Sequence, residues 1–299
     1  MNSILEVTSL KKSFGTKEVL KDVSFSVPEH SIFGFVGRNG AGKTTTMKLI
    51  LGLMKPDGGT ITVCGEPVTG ADTKTNRLVG YLPDVPEFYT YMTTREYLTL
   101  CGKIAGIPKD ELAGRIEELL TMVGLADEKR RIQGFSRGMR QRLGIAQSLI
   151  HKPALLICDE PTSALDPVGR KELLDVLKAA REHTSILFSS HILSDIERIS
   201  DRYALLEQGV IMQNGTVADI SGNQSKRRID LIPEYAADID RLLAAEPALT
   251  AENGILTISN ATDDDMLRLT ALISELRIPV RKLERHEPTL EDLFLEVIS

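Results

Sequence analysis

The sequence predicts an α/β core with an antiparallel edge sheet and a helical insertion, followed by a small α+β C-terminal domain. Three observations predict this architecture. The apolar run SIFGFV (31–36) leads through glycines into the helix-like segment TTTMKLILGLM. The strand-like segments ALLICD and SILFSSH follow later, separated by a helical pattern near 168–182. The composition changes after Gly215-Thr216, where the core is expected to end.

The N-terminal segments predict an edge sheet beside this core. ILEVTSL and VSFSV alternate apolar and polar residues on either side of a turn at Phe14-Gly15-Thr16, and ITVCGEPV adds a further strand pair. From about Asp84 to Ile150 the apolar residues recur at helical spacing instead. A helical subdomain at about 85–150 is therefore expected within a first domain that spans 1–220.

The segment SGNQSKRR (221–228) predicts a linker, because it is polar and carries glycine and serine. Beyond it, 229–299 predicts a small α+β domain with the order strand, helix, hairpin, helix, strand, helix; a ferredoxin-like arrangement is one candidate. Asn253-Gly254 predicts the hairpin turn, and Thr289 with Asp292 predicts the start of the last helix. The apolar faces of the first two helices are predicted to be Tyr235, Ile239, Leu242 and Leu243, and then Leu269, Leu272, Ile273 and Leu276.

Composition restricts the class of protein. A length of 299 residues predicts about two domains, and a formal net charge of −6 gives no basic field for nucleic acid or an anionic membrane. The cysteines Cys64, Cys101 and Cys158 are too few for a disulfide framework and indicate a reducing compartment. The start MNSILEVTSLKKSF lacks a signal-peptide pattern, and no run of apolar residues is long enough to span a bilayer, so a soluble, cytoplasmic protein is expected.

The segment GRNGAGKT (37–44) matches G-x-x-x-x-G-K-[ST] between a buried strand and a helix, which is the context of a P-loop NTPase core. Its glycines let backbone N–H groups close around a β-phosphate, while Lys43 reaches the terminal phosphates and Thr44 ligates Mg²⁺. The nucleotide-binding residues are therefore predicted to be Gly37, Arg38, Asn39, Gly40, Ala41, Gly42, Lys43, Thr44 and Thr45.

The run LLICDE (155–160) predicts a buried strand that ends in two carboxylates. With a phosphate loop present, Asp159 is interpreted as a Mg²⁺ ligand acting through a coordinated water, and Glu160 as the base that polarises the attacking water. Solvated turn residues are the alternative interpretation of the same pair. Cys158 is interpreted as a core residue rather than a reactive thiol.

Five segments in this order resemble the ATP-binding subunits of ABC transporters over about residues 4–220. Besides the phosphate loop and LLICDE they are SRGMRQ (136–141), here the signature segment, SALD (163–166), and His191 after the strand SILFSS. The resemblance implies an ATP-hydrolysing motor that uses ATP and Mg²⁺. It also implies a head-to-tail homodimer in which each nucleotide meets the phosphate loop of one subunit and the signature segment of the other.

The resemblance assigns further residues. Ser136 and Gly138, with the positive end of the following helix, would face the partner's γ-phosphate. His191 would contact and sense the γ-phosphate, and Asp166 would lie in a loop that crosses the dimer. Phe14 would stack on adenine, although a core-facing Phe14 is an alternative interpretation.

The sequence departs from the family pattern at two places. The signature segment has Arg137 and Met139 where many relatives have glycine and glutamine. GYLPD (80–84) ends in Asp84 where relatives usually have glutamine. An acidic residue there, with a lengthened C-terminus, resembles the branch that serves separately encoded permeases exporting drugs, peptides or polysaccharides. Asp84 would act near Mg²⁺ through a bridging water.

The resemblance places the protein in the cytoplasm, peripheral on the inner face of the cell membrane through an integral membrane permease. The segment VPEFYTYMTTREY (85–97) is either a docking surface for that permease or a buried cap of the helical insertion. The C-terminal domain is a ligand sensor, a dimer contact or a permease contact.

The alternative function is a soluble ABC-type ATPase that acts on ribosomes or DNA. One phosphate loop and the absence of sustained heptads argue against it. No nucleic-acid partner is expected, because no aromatic residues interleave with the arginines. Solvated helix charge is the interpretation of Arg130, Arg131, Arg137, Arg140 and Arg142.

Overall fold

The computed structural model describes residues 3–70, 74–221 and 227–298. The chain divides into two compact units, Met1–Gly215 and Thr216–Ser299, each described here by itself. The predicted linker at 221–228 lies mostly outside the described residues.

The first unit is built on one large mixed sheet of ten strands within the described residues. In chain order they are β1 (Ser3–Phe14), β2 (Lys17–Pro28), β3 (Ile32–Val36), β4 (Gly58–Val63), β5 (Glu66–Pro67), β6 (Val79–Leu82), β7 (Leu155–Asp159), β8 (Ser185–Ser190), β9 (Arg202–Glu207) and β10 (Val210–Thr216). Their order across the sheet is β5-β4-β1-β2-β10-β9-β3-β8-β7-β6.

The sheet has an antiparallel edge and a parallel core, as predicted. The strands β1, β2, β4 and β5 pair antiparallel, whereas β3, β6, β7, β8 and β9 pair parallel. All residues of β3, β7 and β8 are buried, because helices cover parallel strands on both faces. Parallel pairing also brings the carboxyl ends of β3, β7 and β8 to one edge, where the phosphate loop begins.

Six helices complete this unit within the described residues, and the short α7 (Val217–Ser221) opens the second unit. The six are α1 (Lys43–Ile50), α2 (Thr94–Ile104), α3 (Lys109–Met122), α4 (Arg137–Leu149), α5 (Pro167–Ala180) and α6 (Leu193–Ile199). The helical insertion consists of α2, α3 and α4, between β6 and β7. The predicted helical region began too early, because Thr93 and Glu96 form a capping box that starts α2 ten residues after Asp84.

The second unit is a four-stranded antiparallel sheet with helices, within the described residues. Its elements are β11 (Arg228–Pro233), α8 (Ile239–Ala245), β12 (Thr250–Glu252), β13 (Ile255–Ser259), α9 (Asp263–Leu276), β14 (Val280–His286) and α10 (Leu290–Ile298). The strand order β12-β13-β11-β14 gives the ferredoxin-like arrangement that the sequence offered as a candidate. Leu242 and Leu269, from α8 and α9, lie in the core of this unit.

Two of the predictions made from local sequence patterns in the second unit are confirmed, and one is wrong. Asn253 and Gly254 have φ of 50° and 83°, as a type I′ hairpin turn requires. Thr289 and Asp292 cap α10, since the Thr289 N–H donates to the Asp292 carboxylate at 2.9 Å. Tyr235 does not share the apolar face of α8, because it precedes a 3₁₀ turn and the helix begins only at Ile239; its side chain is 61% exposed.

Candidate functional site

The phosphate loop joins β3 to α1 at residues 37–42, where the sequence placed it. Gly40 and Gly42 have φ of 84° and 117°, which favour glycine. A Cβ on Gly42 would lie 2.6 Å from Leu20 Cδ2. The loop therefore requires glycine at position 42 for both its backbone conformation and its packing.

The ammonium group of Lys43 is buried against the phosphate loop and paired with a carboxylate. Its Nζ donates to the Gly37 carbonyl at 2.6 Å and lies 3.0 Å from Glu160 Oε1. The Lys43 side chain is only 5% exposed. A buried charge is costly without a partner, and the Gly37 carbonyl and the Glu160 carboxylate are here the partners of the Lys43 ammonium group. The terminal phosphates of ATP are predicted to take this position beside Lys43.

The Asp159 carboxylate and the backbone N–H of Glu160, at the end of β7, share one hydroxyl on the neighbouring strand β8. Ser189 Oγ donates to Asp159 Oδ1 at 2.8 Å and accepts from the Glu160 N–H at 3.0 Å. Asp159 also affects Tyr81 on the neighbouring strand β6. Burial is the larger cause and the negative charge of Asp159 the next, and together they raise the pKa of the Tyr81 hydroxyl to about 12. Ser189 was not predicted from the sequence, although it lies in the segment SILFSS, which directly precedes the predicted His191.

His191 contacts the Glu160 carboxylate oxygen that does not face Lys43. Its Nδ1 is 2.7 Å from Glu160 Oε2, and its backbone N–H donates to the same oxygen at 3.3 Å. Glu160 has a φ of 49°, which turns the chain sharply after Asp159. Glu160 is therefore held between the cation of Lys43 and the ring of His191.

Lys43, Asp159 and Glu160 border a cleft of about 280 Å³ at the carboxyl edge of the sheet. Val19 lines it without any signal in the sequence pattern. Outside the lining, among the described residues, are the predicted Phe14, Gly37, Ala41, Ser136, Gly138, Asp166 and His191. The full lining is Val19, Arg38, Asn39, Gly40, Gly42, Lys43, Thr44, Thr45, Asp84, Asp159 and Glu160.

Asp84 lies in the loop after β6, lines the cleft and contacts residues of α4 and of the turn after β7. Ser163 Oγ donates to Asp84 Oδ1, and the Arg137 guanidinium lies 3.3 Å from the same oxygen. Gln141 Nε2 donates to the Asp84 backbone carbonyl at 2.5 Å. The loop after β6 is thus joined to α4 and to the turn after β7.

Ser136 and Asp166 each cap the helix that follows. Ser136 Oγ accepts from the Met139 N–H at 3.2 Å at the start of α4, and Asp166 Oδ1 accepts from the Gly169 N–H at 3.2 Å at the start of α5. A Cβ on Gly138 would meet only Leu165 Cδ2, at 3.9 Å. The first turn of α4 therefore has room beside Gly138 within the chain itself.

Phe14 ends β1 and is 48% exposed, so the core-facing interpretation is wrong. Lys12 Nζ lies 5.6 Å from the ring centroid. The ring is open to a stacking partner, as the adenine interpretation needs.

Part of the segment 85–97 is exposed, as a docking surface would be, and part is buried, as a cap of the helical insertion would be. Val85, Tyr89 and Tyr91 are exposed, whereas Tyr97 is buried and donates to Gln147 Oε1 at 3.0 Å. The ring of Phe88 packs edge-on against Tyr97, with centroids 5.2 Å apart. The segment is anchored by the buried ring of Tyr97 and presents Tyr89 and Tyr91 on the surface.

The donor set of the cleft fits Mg²⁺ bound together with phosphates. Thr44, Asp84 and Asp159 supply oxygen atoms to the lining, which are the ligands that Mg²⁺ prefers. Within the ranges described, no cluster of three or more His, Cys, Asp or Glu residues could hold a metal by itself. A cation here would need phosphate oxygens to complete its coordination, as is usual for Mg²⁺ at nucleotide sites.

The fold and the cleft define a P-loop ATPase, and comparison with known proteins identifies the family. A family model described as "ABC transporter" matches residues 20–163. The chain is 37% identical to an uncharacterised ABC transporter ATP-binding protein of Bacillus subtilis (strain 168), over 99% of both chains. The chain therefore belongs to the ABC transporter ATP-binding proteins, and it is an ATP-binding subunit of that family.

Other relatives share nearly the whole length. A bacitracin transport ATP-binding protein of Bacillus licheniformis is 35% identical over 100% of this chain and 98% of its own. A linearmycin resistance ATP-binding protein of Bacillus subtilis (strain 168) is 33% identical over 98% of each. A solved structure of the ATP-binding subunit of an ABC transporter matches with a TM-score of 0.64 and 34% identity, over 74% of this chain and 92% of that one. In the described part of the chain, no helix combines the length and apolar character needed to cross a membrane.

Proposed function

We propose that this subunit hydrolyses ATP with Mg²⁺ in the cleft, as one half of a homodimer that drives a separately encoded exporter permease. The observation that carries the proposal is the convergence of Lys43, Asp84, Asp159 and Glu160 around the phosphate loop. A cation and carboxylates beside backbone N–H groups are the parts that phosphoryl transfer requires.

Nucleotide binding is proposed to rearrange the Lys43–Glu160 ion pair. Lys43 exchanges Glu160 for the terminal phosphates, whose negative charge is greater. The backbone N–H groups of the loop and the start of α1 hold the β-phosphate. Bound Mg²⁺, held by Thr44 and through water by Asp84 and Asp159, would neutralise phosphate charge.

Freed from Lys43, the Glu160 carboxylate is proposed to accept a proton from the attacking water. The oxygen of that water bonds to the γ-phosphorus while the bond to the bridging oxygen breaks, which yields ADP and phosphate. His191 holds Glu160 Oε2 through Nδ1, at 2.7 Å, and its Nε2 is the nitrogen proposed to contact the γ-phosphate.

Dimerisation is proposed because the chain carries a second phosphate-facing helix start outside its own cleft. Ser136 caps α4, and Gly138 leaves open space beside the first turn. A partner's γ-phosphate would fit this position, where the helix N-terminus favours an anion. Asp166 lies in the loop proposed to cross to the partner, and Phe14 is proposed to stack on adenine.

The permease is proposed from the family and from an exposed surface. Val85, Tyr89 and Tyr91 form an exposed apolar and aromatic surface, which suits contact with the cytoplasmic helices of a membrane partner. The relatives named for bacitracin transport and linearmycin resistance favour an exporter. We place the protein in the cytoplasm, on the inner face of the cell membrane through that permease.

Nucleotide binding by Lys43→Ala tests the first part of the proposal. We expect a strong loss of ATP affinity in equilibrium binding, because the terminal phosphates lose their buried cation. Lys48→Ala is the matched control, since Lys48 lies exposed on the same helix and should bind ATP normally. Undiminished binding by Lys43→Ala would contradict the assignment of the loop.

A tagged pull-down from detergent-solubilised membranes of the native host tests the transport part. We expect mass spectrometry to identify a polytopic membrane protein without ATPase motifs of its own. Recovery of ribosomal or DNA-bound proteins instead would contradict the transporter proposal and favour the soluble alternative.

A further inference from the structure

Arg137 and Asp84 are two of the three positions at which the sequence departs from its family pattern, and the structure brings these two together. The Arg137 guanidinium lies 3.3 Å from Asp84 Oδ1 and donates to Ser163 Oγ at 3.1 Å. Ser163 Oγ in turn donates to Asp84 Oδ1. Asp84 Oδ1 therefore contacts both the Arg137 guanidinium and the Ser163 hydroxyl, and neither of these residues lines the cleft.

The backbone of Asp84 is held independently of its side chain. Gln141, fully buried one turn after Arg137, donates to the Asp84 carbonyl at 2.5 Å. Removal of the Arg137 side chain leaves this bond in place. The loop keeps its position in that case, and only the direction of the Asp84 carboxylate is free to change.

The same carboxylate borders the nucleotide cleft, together with Asp159 and Thr44. Asp84 Oδ1 faces Arg137 and Ser163. A metal-bound water that took up this oxygen would therefore compete with Arg137 for it.

We propose that Arg137 is a positioning residue that holds the Asp84 carboxylate at the start of α4, so that the signature segment and Mg²⁺-bound nucleotide compete for it. This inference rests on the proposed function of the cleft. Because linkage is reciprocal, Mg²⁺–nucleotide binding weakens the ion pair and releases the first turn of α4. Occupancy of one cleft is thereby coupled to the helix start that is proposed to meet the partner's nucleotide.

The test compares ATP affinity with Mg²⁺ and ATP affinity with EDTA, and takes the ratio of the two. Loss of a surface cation alone weakens both affinities and leaves the ratio unchanged. Release of Asp84 raises only the affinity with Mg²⁺. We expect Arg137→Gln to increase the ratio roughly two- to five-fold, the scale of a partly exposed ion pair.

The set of variants isolates the pair. Arg137→Lys keeps the charge and should return the ratio towards the wild-type value. In an Asp84→Asn background, Arg137→Gln should leave the ratio unchanged, because the competing carboxylate is gone. Arg130→Gln is the matched control, since it removes an arginine that pairs with Glu128 at 2.6 Å outside the cleft.

Three results overturn the inference. Equal changes of affinity with Mg²⁺ and with EDTA in Arg137→Gln would make Arg137 an ordinary surface cation. Additive effects of Arg137→Gln and Asp84→Asn would show that the two residues act separately. A wild-type protein that binds no ATP would overturn the proposed function itself, and this inference with it.

Discussion

The Lys43–Glu160 ion pair sets the charge balance of the cleft at the scale of single residues. Both side chains are largely buried, and the two atoms lie 3.0 Å apart. Neither charge is stable in such a place without a partner. The nucleotide phosphates that are proposed to displace Glu160 thus leave a carboxylate which can accept a proton.

Glu160→Gln should separate ATP binding from ATP hydrolysis. The amide keeps the size of the side chain but cannot accept a proton, so we expect the rate of phosphate release to fall roughly 10²-fold or more while ATP still binds. Glu182→Gln, at an exposed position on the same unit, is the control and should hydrolyse at the wild-type rate. Normal turnover by Glu160→Gln would remove Glu160 from the role of base.

The cysteines should differ in reactivity with a thiol reagent at about pH 8. Cys158 is buried, and burial raises the pKa of its thiol far above the usual value, so almost no thiolate forms. Burial and then Glu29 raise the pKa of Cys64 as well, but Cys64 is exposed and should react first. We expect Cys158 to react only after denaturant is added, and Cys64→Ser to remove the fastest phase. Rapid labelling of Cys158 in the native protein would contradict its place in the core.

Sequence patterns predicted the residues of the cleft that belong to local motifs. The phosphate loop and the carboxylates Asp159 and Glu160 were found because strand, glycines and charged residues follow one another in the chain. Val19 carries no such pattern, and Ser189 is marked only by its place in SILFSS, two residues before His191. The pairing of Arg137 with Asp84 joins residues that are distant in sequence, so each departure was visible and the contact between them was not.

At the scale of elements, the phosphate loop depends on Gly42 more than on Gly40. A Cβ at position 42 adds left-handed strain, about 1–2 kcal/mol, and would also lie 2.6 Å from Leu20 Cδ2. At position 40 a Cβ would meet nothing within 4 Å. We expect Gly42→Ala to lower the melting temperature and weaken ATP binding more than Gly40→Ala, measured by thermal unfolding and equilibrium binding. Equal behaviour of the two variants would contradict this account of the loop.

Elements with caps and long periodic patterns were predicted from the sequence, whereas the strands β6, β9 and β10 were not. β6 has four residues and includes Gly80, where a Cβ would lie 2.2 Å from the Ser148 carbonyl oxygen. β10 is only partly buried and contains polar residues. These strands are stabilised by their neighbours in the sheet rather than by a pattern of their own.

At the scale of the whole molecule, the second unit has its own hydrophobic core. A chain that ends at residue 221 should therefore fold and bind ATP with the affinity of the full chain, measured by equilibrium binding. The mass of this truncated chain in solution with nucleotide would show whether the second unit is a dimer contact. Loss of the dimer would indicate a dimer contact, and an intact dimer would indicate ligand sensing or permease contact. Loss of ATP binding in a folded truncated chain would contradict the independence of the cleft from the second unit.

ATP bound in the cleft is proposed to close a dimer across the signature segment. Light scattering of Glu160→Gln with Mg²⁺ and ATP measures whether this dimer forms. We predict the mass of a dimer with nucleotide and of a monomer without it. Addition of Gly138→Leu should return the protein to a monomer, because the added side chain would occupy the open space beside the first turn of α4, where the partner's γ-phosphate is proposed to bind. A Glu160→Gln protein that binds ATP yet stays monomeric would contradict the claim.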